Sequence, residues 1–291
     1  METPEDRRYS FLDRIGTAGD TTNTAPGTRK DEHMATPEDH VLAEALATRA
    51  GNLLCDVRAN LTEAGAQARE LREEGDRRAH DLLMASLAAK RPGDAVLSEE
   101  GAAHGVHPDR SGAQRVWIID PLDGTREFSE PPRTDWAVHV ALAEGGLPTV
   151  GAVALPALCM TLATGPSVVT AILSPVPERP RVVVSRTRPP AEALAVAEAL
   201  GGVIVEMGSA GAKAMAVVRG EADVYVHSGG QFEWDNCAPV AVAASRGLHT
   251  SRLDGSPLTY NHADPYLPDL VVCRTELADA VLATLSGPTG P

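Results

Sequence analysis

The chain predicts a protein of mixed class, with an α+β amino-terminal half (residues 35–178) joined to an α/β carboxy-terminal half (residues 179–291). Three observations carry this. Helical periodicity near the start gives way to strand patterns that follow one another without helices between them. Beyond a proline-rich, charged stretch, "SPVPERPR", strand and helix patterns alternate instead. With 291 residues, 43% of them hydrophobic, the chain can build one large layered domain or two smaller ones that share a cleft.

Residues 1–34 are rich in Thr, Gly, Asp and Arg with little apolar periodicity, and are expected to be a disordered tail, Met34 being a candidate true start. Thr36, Pro37 and Asp39 read as a helix N-terminus, and Leu42, Leu46, Ala50, Leu53 and Val57 recur at helical spacing. A second helix is predicted from about Asp76 to Ala89, stopped by Pro92-Gly93. "AVLSEE" and "RVWIID" read as strands running into acids, and "WAVHVAL" and "VGAVAL" as a hairpin about the turn "EGG". In the second half "RVVVS", "VIVEM", "ADVYVH" and "DLVVC" alternate with helices at about 190–200, "AKAMAVV" and "APVAVAAS", which predicts a mostly parallel sheet.

A net charge of −14, with no clustered Lys/Arg stripe, argues against nucleic acid as a partner. The cysteines Cys55, Cys159, Cys237 and Cys273 form no CxxC pair, so reduced thiols are expected rather than disulfides or zinc. No apolar run approaches the ~18 residues of a membrane span. No signal-peptide pattern is found either, and a soluble cytoplasmic protein is expected.

Acids then stand where burial is expected. Glu99 and Glu100 follow "AVLS", Asp120 and Asp123 follow "RVWII", and Asp235 lies in "EWDNCAP". Burying ionised carboxylates side by side costs several kcal/mol unless a cation pairs with them. Pro121 and Gly124 shape a turn that would aim both aspartates and the Leu122 carbonyl at one point. Hard oxygen donors without neighbouring His or Cys suit Mg²⁺. Gly124 and Thr125, opening a helix, would present N–H groups to an anion. His139, alternating within a strand, reads as a packed residue rather than a ligand.

The joint pattern "SEE", "DPLDGT", "GSAGAK" and "WDNCAP" resembles the inositol monophosphatase superfamily of Mg²⁺-dependent, lithium-sensitive phosphatases over about residues 36–275. "DGTREF" and "WDNCAP" are most similar to its CysQ-type 3'(2'),5'-bisphosphate nucleotidases, the actinobacterial ones in particular. The resemblance implies a layered αβαβα sandwich of the inositol monophosphatase / fructose-1,6-bisphosphatase type. It implies two or three Mg²⁺ ions, two of them on Glu99, Asp120, the Leu122 carbonyl, Asp123 and Asp235. Asp76 would serve a third ion and the attacking water, although Glu73 stands where the family carries Thr. Thr125 with Glu99 would polarise that water.

For substrate, the resemblance implies adenosine 3',5'-bisphosphate or its sulfated precursor, hydrolysed at the 3'-phosphate; inositol-1-phosphate or fructose-1,6-bisphosphate is the alternative. Gly208 and Lys213 match the nucleotide-binding loop, with one extra residue between them. Ser185 and Arg188 fall at the 5'-phosphate position, Arg188 replacing a His, and Arg126 is a second phosphate-binding candidate. Glu233, beside Asp235, is expected to contact a sugar hydroxyl. A homodimer or monomer is expected.

Overall fold

A computed structural model describes residues 34–103, 110, 112–165 and 174–287. Of the expected tail, 1–34, residues 1–33 lie outside them, and Met34 is exposed.

Helix α1 (Pro37–Glu63) starts as its sequence demands: the Thr36 backbone N–H donates to Asp39 Oδ2 at 2.9 Å, closing the first turn. Helix α2 spans Ala68–Lys90 and so begins two turns before the expected Asp76. Its first turns are charged and carry little apolar stripe. Ion pairs one turn apart, Arg69–Glu73 and Arg78–Glu74, support them instead. Strands β1 (Ala95–Ser98), β2 (Arg115–Asp123), β3 (Ala137–Glu144), β4 (Leu147–Leu155) and β5 (Met160–Ala163) form the first sheet in that order. β1 and β2 are parallel and the other neighbours antiparallel. Two short helices interrupt the sequence, α3 (Glu99–Ala103) and α4 (Thr125–Phe128).

The second sheet holds β6 (Arg181–Ser185), β7 (Val203–Met207), β8 (Val224–Ser228), β9 (His249–Ser251) and β10 (Asp269–Cys273) in the order β7-β6-β8-β10-β9. Only β6 pairs in parallel, with β7 and β8; β10 runs antiparallel to both β8 and β9. The mostly parallel sheet expected from the sequence is therefore corrected to a mixed one. A non-helical segment, 252–268, joins β9 to β10 and turns the chain back, where a crossover helix would have kept it parallel.

Helices α5 (Ala191–Ala199), α6 (Ala210–Val218), α7 (Glu233–Ser245) and α8 (Ala278–Leu285) complete the fold. Three apolar cores separate its layers. One joins α1 and α2 to the first sheet, with Leu54, Leu83 and Trp117 buried in it. A second packs α6 and α7 between the two sheets, around Met215, Cys237 and Val242. The third joins the second sheet to α5 and α8 through Val184, Val196 and Val281. The order is helices, sheet, helices, sheet, helices, which is the expected αβαβα sandwich. The segment 174–180 leads from the first sheet to the second.

Candidate active site

Asp120 and Asp123 are three residues apart, so a regular strand would turn their side chains to opposite faces. The ladder prevents this. Asp120 pairs with His139 and Asp123 with Ala137, three steps along β2 against two along β3. The extra residue is a bulge, placed where Pro121 has no N–H to give the ladder. Asp235, in the first turn of α7, arrives from the other side, and one carboxylate oxygen from each of the three aspartates lies within 4.8 Å of the others. Glu99, the first residue of α3, shares a hydrogen bond with Asp120. Asp76, half-buried in the middle of α2, adds its charge to that of Glu99. Glu73, one turn earlier, is instead exposed and bonded to Arg69.

Charge and burial set the properties of this cluster. Burial, with the charges of Glu99, Asp123 and Asp235 adding to it, pushes Asp120 well above the usual carboxylate range. Burial likewise lifts Asp235 to about 7, helped by the Asp123 charge. Glu99 and Asp76 are each raised by burial to about 7, Asp76 also by the Glu100 charge. Asp123 differs. Burial would raise it too, but His139, Ser209 and Gly211 outweigh that and hold it at about 2.

The geometry around Asp123 explains this. Its Oδ2 accepts from Ser209 Oγ at 2.5 Å and Gly211 N at 2.6 Å, and its Oδ1 from Ala210 N at 3.0 Å, so it occupies the N-terminus of α6. His139 Nε2 stands 3.1 Å away while its Nδ1 donates to the Trp234 carbonyl at 2.9 Å. His139 is thus fully buried and packed, as expected, yet it also faces Asp123; burial and the Asp123 carboxylate act against each other on its pKa, and the net shift is upward. Ser209, at φ +32°, holds a conformation that costs about 1–3 kcal/mol, and its hydroxyl both receives Ala212 N and donates to Asp123.

Gly124 follows Asp123 at φ +85°, and a Cβ there would stand 2.9 Å from that of Ser209, so both conformation and space require glycine. Thr125 then turns its hydroxyl back to the Leu122 carbonyl at 3.2 Å, leaving that oxygen a second lone pair. Among the described residues, no Lys or Arg forms an ion pair with Asp120, Asp235 or Glu99. Buried hard oxygens that retain protons for want of a cation fit a divalent ion.

At the turn that follows Asp123 opens a cavity of about 490 Å³. Gly124, Thr125, Arg126, Ser185, Arg188, Gly208 and Lys213 all line it, so seven residues singled out by the sequence meet there. Arg126 and Arg188 are exposed and carry no ion pair among the described residues, which makes this a cationic pocket in a chain of charge −14. Ser185 Oγ receives the backbone N–H of Arg188 at 3.3 Å. Lys213 is buried, donates to the Gly208 and Ser209 carbonyls at 2.6 Å each, and is lowered by burial to about 8.

Glu233 is a correction. It is fully buried, and its carboxylate receives Asn261 N, His262 N and the His262 ring at 2.7 Å each, so it holds the 261–262 turn and does not line the cavity. Four lining residues escaped the sequence reading: Glu127, Arg186, Thr187 and Ser209. Arg186 Nε donates to Glu127 Oε1 at 2.6 Å and Nη2 to Glu130 Oε2 at 2.8 Å, tying the second sheet to the helix that follows Asp123. Glu127 lay inside "DGTREF" and Ser209 inside "GSAGAK", where its place before the helix marks it as a cap.

Comparison with known proteins agrees with this geometry. The profile of the inositol monophosphatase family matches residues 38–286. A Mycobacterium leprae protein named 3'-phosphoadenosine 5'-phosphate phosphatase is 49% identical over 88% of this chain and 96% of its own length. A Mycobacterium bovis protein of the same name is 51% identical over 81% of this chain and 89% of its own. The Escherichia coli 3'(2'),5'-bisphosphate nucleotidase CysQ is 30% identical over 65% of this chain and 79% of its own. For the fold, inositol monophosphatase II from Staphylococcus aureus superposes with a TM-score of 0.71 at 19% identity, covering 87% of this chain and 97% of that one. No helix among the described residues is long and apolar enough to cross a membrane. The chain belongs to the inositol monophosphatase family, and the curated relatives it resembles over most of its length are phosphatases of the CysQ type.

Proposed function

We propose that the protein is a Mg²⁺-dependent phosphomonoesterase that removes the 3'-phosphate of adenosine 3',5'-bisphosphate to leave AMP, and acts on its sulfated precursor as well. It would thereby recycle a by-product of sulfate activation. The observation that carries this is a cluster of three aspartates at the turn whose next residues, Gly124 and Thr125, line a cationic cavity, in a chain about half identical to proteins named for that substrate.

Asp120, Asp123, Asp235, Glu99 and the Leu122 carbonyl would hold the ions, with Asp76 at the edge. Bound Mg²⁺ supplies charge neutralisation at phosphoryl oxygens and a lower pKa for water. The chain's own groups supply position. The N–H groups of Ala210 and Gly211 and the Ser209 hydroxyl fix Asp123 rigidly, so its orientation needs no reorganisation during reaction. Thr125, anchored on Leu122, keeps oxygen lone pairs available to accept a hydrogen bond from a water whose proton the Glu99 carboxylate would take. Arg126 and Arg188 offer guanidinium groups to the second, non-reacting phosphate.

Purified full-length chain with Mg²⁺ should release phosphate and AMP from adenosine 3',5'-bisphosphate with a higher kcat/KM than from inositol-1-phosphate or fructose-1,6-bisphosphate. The reverse ranking would overturn the substrate, and activity without divalent metal would overturn the mechanism. Millimolar Li⁺ should inhibit.

A further inference from the structure

Aromatic side chains are scarce in this chain, at 3%. Among the described residues, every Trp, Phe and Tyr is buried except two, Phe232 (37% exposed) and Tyr266 (45% exposed). Both stand against each other, rings 5.7 Å apart at 78°. Their place is specific. Phe232 is three residues before Asp235 and its backbone N–H donates to Asp235 Oδ2 at 2.6 Å, which ties its backbone to the acidic cluster.

The pair is also rigid. Phe232 stacks on buried Trp234 at 4.8 Å and 11°. Phe232 and Tyr266 form an antiparallel bridge, and Tyr266 Oη receives Gly230 N at 3.3 Å. On either side, Leu267 N donates to the Gln231 carbonyl at 3.0 Å and Glu233 N to the Pro265 carbonyl at 2.8 Å. The loop bearing Phe232 leaves the end of β8 and leads into α7, whose Asp235 meets Asp123, the residue before the cavity-lining Gly124. One face of Phe232 covers Trp234, yet more than a third of each of the two residues stays exposed to solvent. Carried on the segment that holds Asp235 in the acidic cluster, they suit a ligand that joins an anion to a flat ring.

We infer that Phe232 and Tyr266 form the platform on which the substrate's nucleobase stacks, so that preference for a nucleotide over a base-less sugar phosphate resides in these two side chains. Stacking recognises the base's face rather than its edge, and so tolerates other bases. The inference rests on the nucleotidase reading above, and its test separates the two.

The experiment compares wild type, Phe232→Leu and Tyr266→Ala, each with Mg²⁺. Leucine keeps Trp234 covered while removing the ring. Two ratios are read: KM for adenosine 3',5'-bisphosphate against a 1-deoxyribose 3,5-bisphosphate without base, and Kd for AMP against ribose 5-phosphate by calorimetry. Each variant should lower the nucleotide preference by about 5- to 150-fold, the range for loss of one stacked base. A wild type without activity on the bisphosphate but with a strong AMP preference that the variants abolish would refute the proposed reaction and support the platform. An unchanged preference in both variants overturns the platform, as does equal weakening of nucleotide and base-less ligand, or a change only in oligomeric state.

Discussion

The two ends of strand β2 hold buried acids under opposite conditions. At its start, Arg115 Nη2 meets Asp39 at 3.1 Å, Nε meets Asp94 at 3.1 Å and Nη1 meets Glu144 at 2.6 Å, while Arg91 meets Asp39 at 2.7 Å. Burial would raise Asp39, yet the Thr36 N–H, Arg91 and Arg115 bring it below the usual range. At the strand's end, Asp120, Asp235 and Glu99 have no arginine ion pair among the described residues, and burial carries them up instead, while His139 and the start of α6 hold Asp123 down. Composition does not distinguish the ends. Acids at the start are balanced within the chain and serve stability; those at the far end, Asp123 apart, await a charge from outside it.

Substitutions at the two ends should therefore separate activity from stability. The largest effect is expected from Asp120→Asn, which should lower kcat/KM by about 10³-fold or more, because a shared ligand is lost. In chelator-treated protein the same change should leave Tm unchanged or higher, since one repelling carboxylate is gone. Asp39→Ala should do the opposite, costing about 3–5 kcal/mol in urea unfolding by leaving Arg115 and Arg91 incompletely paired, with kcat retained below the transition. If both variants lost stability alike, the contrast would be wrong.

A smaller effect distinguishes the ends by pH. Glu99, Asp76 and Asp235 rise to about 7 in the fold from about 4 when unfolded. Their folded forms hold protons more tightly, so metal-free protein should lose stability as pH rises from about 4 to about 7. Asp39, lowered in the fold, contributes with the opposite sign, its stabilisation being lost as pH falls below about 4. Added Mg²⁺ should recover about 1–3 kcal/mol at pH 8 and little at pH 5, where protons compete for the same oxygens. Calorimetric Tm at both pH values, with Mg²⁺ or chelator, checks this; equal shifts would count against a metal site. The smallest effect belongs to an exposed pair away from both ends: Glu73→Ala, which releases Arg69, should leave the urea midpoint unmoved.

Much of the site was legible because its pieces are local. "DPLDGT" announces a glycine-dependent turn with two acids, and "GSAGAK" and "WDNCAP" each announce a helix start. Asp120, Asp123 and Asp235 meet as that reading requires, and the seven expected lining residues share one cavity. Less legible were features set by partners far along the chain. Glu233 resembles a substrate contact by position, yet its oxygens are consumed 28 and 29 residues away. Arg186 stood beside the quoted Ser185 and Arg188, but its pairing with Glu127 crosses 59 residues.

By itself the sequence determined what depends on neighbours in the chain: helical and strand periods, the cap at Thr36, the turn at Gly124, and the kinds of oxygen donor available. These follow from steric limits and hydrogen bonds that span a few residues. Tertiary structure alone decided which acids have a cation and which do not, how a one-residue bulge turns Asp120 and Asp123 to the same side, and where Phe232 and Tyr266 remain uncovered. Burial and charge pairing depend on what arrives from elsewhere in the chain, and no local pattern encodes that arrival.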